Sequence, residues 1–173
     1  MNQFILIING PIRSGKTWAV NVIMEQYKRV FRLSANKIKF LISDYTPDRD
    51  RKLVQDCLLS MADKMLEKGM SLILEGGSVA QGNLNTELEK VGEKYGIKVT
   101  YVNVEAPIEI LKERFAESLK KSEERGSKLS VTDDIGFMKR YEAYLTIKDQ
   151  AKETFDSSIL SPQEIAKRML ALV

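Results

Sequence analysis

Residues 10–17, Gly-Pro-Ile-Arg-Ser-Gly-Lys-Thr, fill the template G-x-x-x-x-G-K-[ST] at every fixed position. Before them runs Phe4-Ile5-Leu6-Ile7-Ile8, an apolar stretch of the length of a buried strand. After them, Val22, Ile23, Tyr27 and Val30 recur at helical spacing. Strand, glycine loop and helix together are the context in which this template cradles phosphates. Gly10 and Gly15 let the backbone curl so that its N–H groups point inward, and the helix N-terminus adds partial positive charge. Lys16 then reaches the β- and γ-phosphates, and the Thr17 hydroxyl suits Mg²⁺. Gly10, Pro11, Ile12, Arg13, Ser14, Gly15, Lys16, Thr17 and Trp18 are therefore expected to line a nucleoside triphosphate. The plain alternative is a glycine turn that only caps a helix.

A chain of 173 residues suits one α/β domain with a full core, expected here over 1–173. Apolar residues make up 43% and charged residues 29%, the balance of an ordinary globular protein. A net charge of +3 is too small to argue for a nucleic acid or an acidic membrane, and a phosphate site alone accounts for it. Neither partner is expected; a monomer or homodimer is. The one cysteine, Cys57, excludes an internal disulfide and suits the cytoplasm. The N-terminal apolar run is too short for a signal peptide or membrane span. With no histidine in the chain, acid–base chemistry falls to carboxylates.

Apolar runs alternate with helical stretches, the pattern of a parallel sheet covered on both faces. Strands are expected at 4–8, 38–42, 71–75, 98–104 and 157–160, and helices near 16–30, 48–68, 83–95, 107–121, 133–152 and 162–172. Gly69 and Gly96 stand where helices end before strands, and Ser161-Pro162 with Glu164 starts the last helix. From Glu117 to Thr132 the large apolar residues are Leu119, Leu129 and Val131, which predicts a protruding flap rather than a core element. A flap there suits closure over phosphates.

Ligands of open parallel sheets collect at the carboxyl ends of the strands. Asp44 follows the expected strand 38–42 and suits a base that takes the proton of an attacking hydroxyl; a turn cap is the alternative. Glu75 ends strand 71–75 before Gly76 and Gly77, and suits Mg²⁺ or the acceptor, or is simply solvated. Arg13 lies inside the loop, Arg49 and Arg51 lie beyond Asp44, and Arg114, Arg125 and Arg140 lie on or beside the flap. Guanidinium groups suit the charge spread over a transferring phosphoryl group.

These residues resemble the small kinases of the nucleoside-monophosphate-kinase superfamily, whose relatives include shikimate- and gluconate-kinase-like enzymes, chloramphenicol phosphotransferase and zeta-toxin-type kinases. The resemblance implies a three-layer α/β fold with a five-stranded parallel sheet in the order 2-3-1-4-5 and a mobile lid. It matches Asp44 to the family's acidic residue after the second strand and Glu75-Gly76 to the end of the third. Pro107 to Arg114 resembles the passage before the lid, and Arg125-Gly126, Asp133-Asp134, Lys139-Arg140 and Tyr144 resemble the lid itself. The lid is then expected about 117–135 and the acceptor segment about 44–68. Two departures stand out. Ser130-Val131 replaces the Gly-Arg of adenylate kinases, and Gly-Ser-Val after the third strand replaces their Phe-Pro-Arg.

The resemblance implies ATP and Mg²⁺ as cofactors and transfer of the γ-phosphoryl group to a small molecule or nucleotide. In that scheme Lys16, Asp44, Arg125 and Arg140 are catalytic, and Thr17 and Glu75 hold the metal. Tyr45, Arg51, Gly76, Gly77 and Arg114 meet the acceptor. The loop and Leu74-Glu75-Gly76-Gly77-Ser78 are also similar to isopentenyltransferases built on the same loop. A nucleotide-binding module without turnover is the third expectation.

Overall fold

The computed structural model describes residues 2–75, 83–126 and 129–173. Strands and helices alternate: β1 (Ile5–Asn9), α1 (Lys16–Gln26), β2 (Val30–Ser34), α2 (Ala35–Leu41), α3 (Pro47–Glu67), β3 (Ser71–Glu75) and α4 (Leu84–Lys94). Then come β4 (Val99–Glu105), α5 (Ile108–Arg125), α6 (Asp134–Leu145), a 3₁₀ turn at Lys148–Gln150, β5 (Glu153–Asp156) and α7 (Pro162–Leu170). The five strands form one parallel sheet in the order β2-β3-β1-β4-β5. This is the expected order, with the phosphate loop on the central strand.

All five residues of β1 and of β3 are buried, as parallel strands covered on both faces must be. Strand side chains alternate between faces, so each apolar run feeds two cores. Leu6 and Ile8 pack with Ala19, Val20 and Ile23 of α1 and Ile165, Ala166 and Met169 of α7. Ile5 and Ile7 pack with Val54, Leu58 and Leu66 of α3 and Leu84 and Leu88 of α4. No helix among the described residues is long and apolar enough to cross a membrane.

Three expectations fail, each for a physical reason. The second strand is 30–34, not 38–42: Ile38-Lys39-Phe40-Leu41 is helical, with Phe40 66% and Leu41 84% exposed. A five-residue apolar run is ambiguous between strand and helix. Edge strand β2 needs little apolar sequence, and Arg32 in its middle faces a partner on β3. The fifth strand is 153–156, not 157–160; at this other edge only Phe155 is buried. The segment 117–135 is not a loop throughout, because α5 runs on to Arg125. Val131 and Leu119 join Leu111 and Phe115 of α5, Phe137 of α6 and Ile12 of the phosphate loop in a third apolar cluster. The Phe115 and Phe137 rings lie 5.0 Å apart. Asp133 caps α6, accepting from the Gly136 N–H at 2.6 Å. Glu117 to Arg125 is therefore helix, but it stays mostly exposed, and Leu119 and Val131 are what tie the segment to this cluster.

Candidate functional site

The loop between β1 and α1 turns through three left-handed residues, Gly10 (φ 146°), Arg13 (φ 66°) and Gly15 (φ 89°). Ser14 is fully buried, and its N–H bonds to the Pro11 carbonyl at 3.3 Å. The Lys16 ammonium donates to the carbonyls of Gly10 (2.8 Å) and Pro11 (2.6 Å) and to Ser14 Oγ (3.2 Å). All three donors of Lys16 thus lie on the loop's own oxygens. Thr17 and Trp18 are exposed on the first turn of α1, Trp18 to 70%.

Burial pushes Lys16 down to about 8, with the Arg13 charge adding to the effect and Glu75 opposing it. Burial also lowers Arg13. Nucleotide phosphates beside Nζ would raise Lys16 again. Below pH 8 the lysine carries its proton in both states. Above pH 8 the free protein loses it and the complex takes it back. The affinity for ADP without divalent metal should therefore weaken as pH climbs from 8 toward 9.5, by up to about tenfold per unit. Calorimetry in buffers of different ionisation enthalpy would show the accompanying proton uptake, and a flat profile would contradict it.

Glu75 ends β3 between the loop strand and β2, opposite Ile8 on one side and Ser34 on the other. It is 9% exposed. Oε1 accepts from Arg32, while Oε2 is buried without a described partner. Arg32 also donates to Asn21 Oδ1 at 2.8 Å, which fixes α1 against β2. Sequence reasoning misses Arg32 because residues 31–37 fall between the expected helix 16–30 and the expected strand 38–42, and so read as a connection. Arg32→Met would leave a buried carboxylate uncompensated and should cost about 3 kcal/mol in urea unfolding. Adding Glu75→Gln should recover much of that loss.

Gly76 and Gly77 lie outside the described residues. Asp44 is described, and it is not at a strand end. All of α2 separates it from β2, its side chain is 87% exposed, and it sits in a left-handed turn (φ 55°) 3.6 Å from Arg49. Arg49 is fully engaged: Nε and Nη2 donate to Asp50 at 2.8 and 2.9 Å, and Nη2 also reaches the Asp44 carbonyl. Asp50 in turn accepts from the Thr46 N–H at 2.8 Å. These groups hold the corner between α2 and α3, and Asp44 does not stand at the end of the second strand, where it was expected. Tyr45 packs partly buried against the α3 side of the core, with Lys39 Nζ 5.6 Å from its ring centroid. Arg51 faces a small pocket shared with Lys39.

The flap arginines separate widely. Arg114 donates to Ser157 Oγ (2.9 Å), the Ser157 carbonyl (3.0 Å) and the Arg13 carbonyl (3.4 Å). It therefore stitches α5 and the turn after β5 to the phosphate loop. That edge of the sheet lies opposite to β2. Arg125 is exposed at the end of α5, roughly 16 Å beyond Arg114 along the axis. It does not meet the loop. Arg140, on α6, is half-buried and close enough to Lys39 to act on its charge. The Tyr144 hydroxyl, raised by burial and by Glu105, donates to Glu105 at the end of β4 and pins α6 to the sheet.

The family model AAA_33, described as an AAA domain, matches residues 5–134. No curated protein matches the sequence. Among solved structures, a Chloroflexus aurantiacus protein provisionally called a kinase superposes with a TM-score of 0.69 at 14% identity, covering 100% of both chains. The tunicamycin resistance protein of Deinococcus radiodurans gives 0.64 at 16%, over 99% of this chain and 95% of that one. The Mycobacterium tuberculosis APS kinase CysC, solved with AMPPNP and APS, gives 0.61 at 13%, over 99% and 97%. At these identities the likeness is one of fold.

Proposed function

The chain belongs to the AAA domain family represented by AAA_33, and from that premise we propose that it is a Mg-ATP-dependent phosphotransferase acting on a small-molecule acceptor. The observation that carries this reading is Lys16, held on the loop carbonyls at the head of α1 and electrostatically linked to Glu75 on the neighbouring strand. A lysine so placed exchanges carbonyl partners for phosphate oxygens when a nucleotide enters. The loop N–H groups and the α1 N-terminus share that anionic load. Arg114, bonded to Ser157 and to the Arg13 carbonyl, holds the loop on its far side.

Among the described residues no group of three or more acidic or cysteine side chains could cage a metal alone. Mg²⁺ bound mainly through phosphates and water needs only one or two protein oxygens. The exposed Thr17 hydroxyl and the buried, unpartnered Glu75 Oε2 fit that role. When bound, the ion would neutralise charge between the β- and γ-phosphates. Asp44 and Arg125 receive no catalytic role in this reading. The lone cysteine, half-buried Cys57, suits a reducing compartment, and we place the reaction in the cytoplasm.

The test is incubation with ATP labelled in its γ-phosphate, Mg²⁺ and fractionated metabolite pools. Label should move into an organic compound in at least one fraction. Label that stays in ATP across every fraction, while ADP still binds, would make the chain a nucleotide-binding module and overturn the reading.

A further inference from the structure

Arg32 joins the two elements that carry the oxygens suited to a metal ion. Thr17 lies on the first turn of α1, and Glu75 ends β3. Arg32 lies in the middle of β2, in register with Ile73 of β3, so its side chain leaves the sheet on the same face as Ile73 and Glu75. Ile73 packs with Ala19, Val20 and Ile23, which makes that face the one under α1. There one guanidinium group makes two bonds in different directions. Nη2 donates to Glu75 Oε1, and Nη1 donates to Asn21 Oδ1 at 2.8 Å. Asn21 stands four residues beyond Thr17, one turn along the same helix. The contacts thus form a bracket: Thr17 and Asn21 on α1, Asn21 to Arg32, and Arg32 to Glu75.

The bracket takes only one oxygen of Glu75. Oε1 is committed to Arg32, while Oε2 is buried with no partner among the described residues. A buried carboxylate oxygen left unpaired costs free energy unless a ligand takes it up. With one oxygen clamped, the carboxylate cannot turn to offer both to an ion, and it presents a single donor. That suits Mg²⁺, which demands near-octahedral geometry at about 2.0–2.1 Å and keeps several waters. Ca²⁺ takes more oxygens at longer range, bidentate carboxylates among them. The side chains of Arg32 and Glu75 are 15% and 10% exposed, so solvent does little to loosen the pair. A lysine at 32 would match the charge but not the planar fork that holds two acceptors at once.

We infer that Arg32 is a positioning residue for the metal: through Asn21 and Glu75 it fixes the spacing between Thr17 Oγ1 and Glu75 Oε2, and thereby selects Mg²⁺ over larger divalent ions. Arg32 has no oxygen to give the ion and acts only through its two partners. This rests on the phosphotransferase reading above and adds to it the residue that sets the identity of the ion.

The test titrates the full chain with AMPPNP, followed calorimetrically, in EDTA, in Mg²⁺ and in Ca²⁺. Wild type should bind the nucleotide in EDTA, gain affinity with Mg²⁺ and gain less with Ca²⁺. Arg32→Lys keeps the buried charge, and Asn21→Ala removes the anchor on the exposed surface of α1 without touching the ion pair. In EDTA both variants should bind AMPPNP much as wild type does, which also reports that they are folded. Their gain from Mg²⁺ should fall by about tenfold, and the preference over Ca²⁺ should shrink with it. Variants that keep the full Mg²⁺ gain, or that lose affinity equally with and without metal, would make Arg32 a structural brace only and overturn the inference. A wild type that binds AMPPNP no tighter in Mg²⁺ than in EDTA would overturn it as well. Failure of wild type to bind AMPPNP under every condition would instead bring down the phosphotransferase reading.

Discussion

Lys16→Ala should lower phosphoryl transfer by at least about a hundredfold while leaving the protein folded. Its ammonium is the positive charge delivered to the loop from within the loop's own helix, and its three hydrogen bonds are to groups a phosphate would replace. Neighbouring Arg13 does not substitute for it, because Arg13 leaves the loop in a left-handed turn (φ 66°) and its carbonyl is tied to Arg114. The fold should survive because the side chain gives up a burial cost along with its bonds. Steady-state transfer of labelled phosphate, with circular dichroism as the control, measures both halves of the expectation. Turnover within a few-fold of wild type would show that Lys16 does not touch the transferring group.

Gly10→Ala should have the larger effect on stability. A Cβ on Gly10 would sit 2.1 Å from the Val104 carbonyl oxygen and 2.9 Å from Ser14 Oγ, at a backbone φ of 146°. The first obstacle is backbone of the adjacent central strand, which cannot rotate aside as a side chain can. Either β1 and β4 separate or the loop opens, and both lose the inward-facing N–H groups. A cost of about 3 kcal/mol or more is expected in denaturant unfolding, together with loss of ADP binding. Gly15→Ala is the instructive partner: its Cβ would meet Ser157 at 3.5 Å, an ordinary contact, and only the left-handed φ of 89° opposes it. Gly10→Ala should therefore be the more damaging of the two.

The β2 edge shows where local sequence stops being informative. Lys39 carries no signal within Ile38-Lys39-Phe40-Leu41, which reads equally as strand or helix. Once that run is helical, Lys39 faces Arg51 and Asp44 moves off the strand ends. Two placements thus turned on one secondary-structure choice. Arg114 turned on another kind of information. Its spacing from Pro107 was visible, but only the chain order of β4 and β5 in the sheet shows that it braces the phosphate loop from the β5 side.

What the sequence determined by itself was the donor half. The phosphate loop is a contiguous segment whose backbone path, donors and charge follow from the order of residues 10–17, and the fully buried runs of β1 and β3 have no alternative to the middle of a parallel sheet. The cationic corner at the β2 edge was decided by tertiary structure alone. Lys39, Arg51 and Arg140 sit on three helices, and only the packing of α2, α3 and α6 around the β2 edge brings their charges together. Contacts within a turn are written in adjacent residues; contacts between elements depend on which edge strand the chain selects, and a short edge strand carries too little hydrophobic pattern to announce itself.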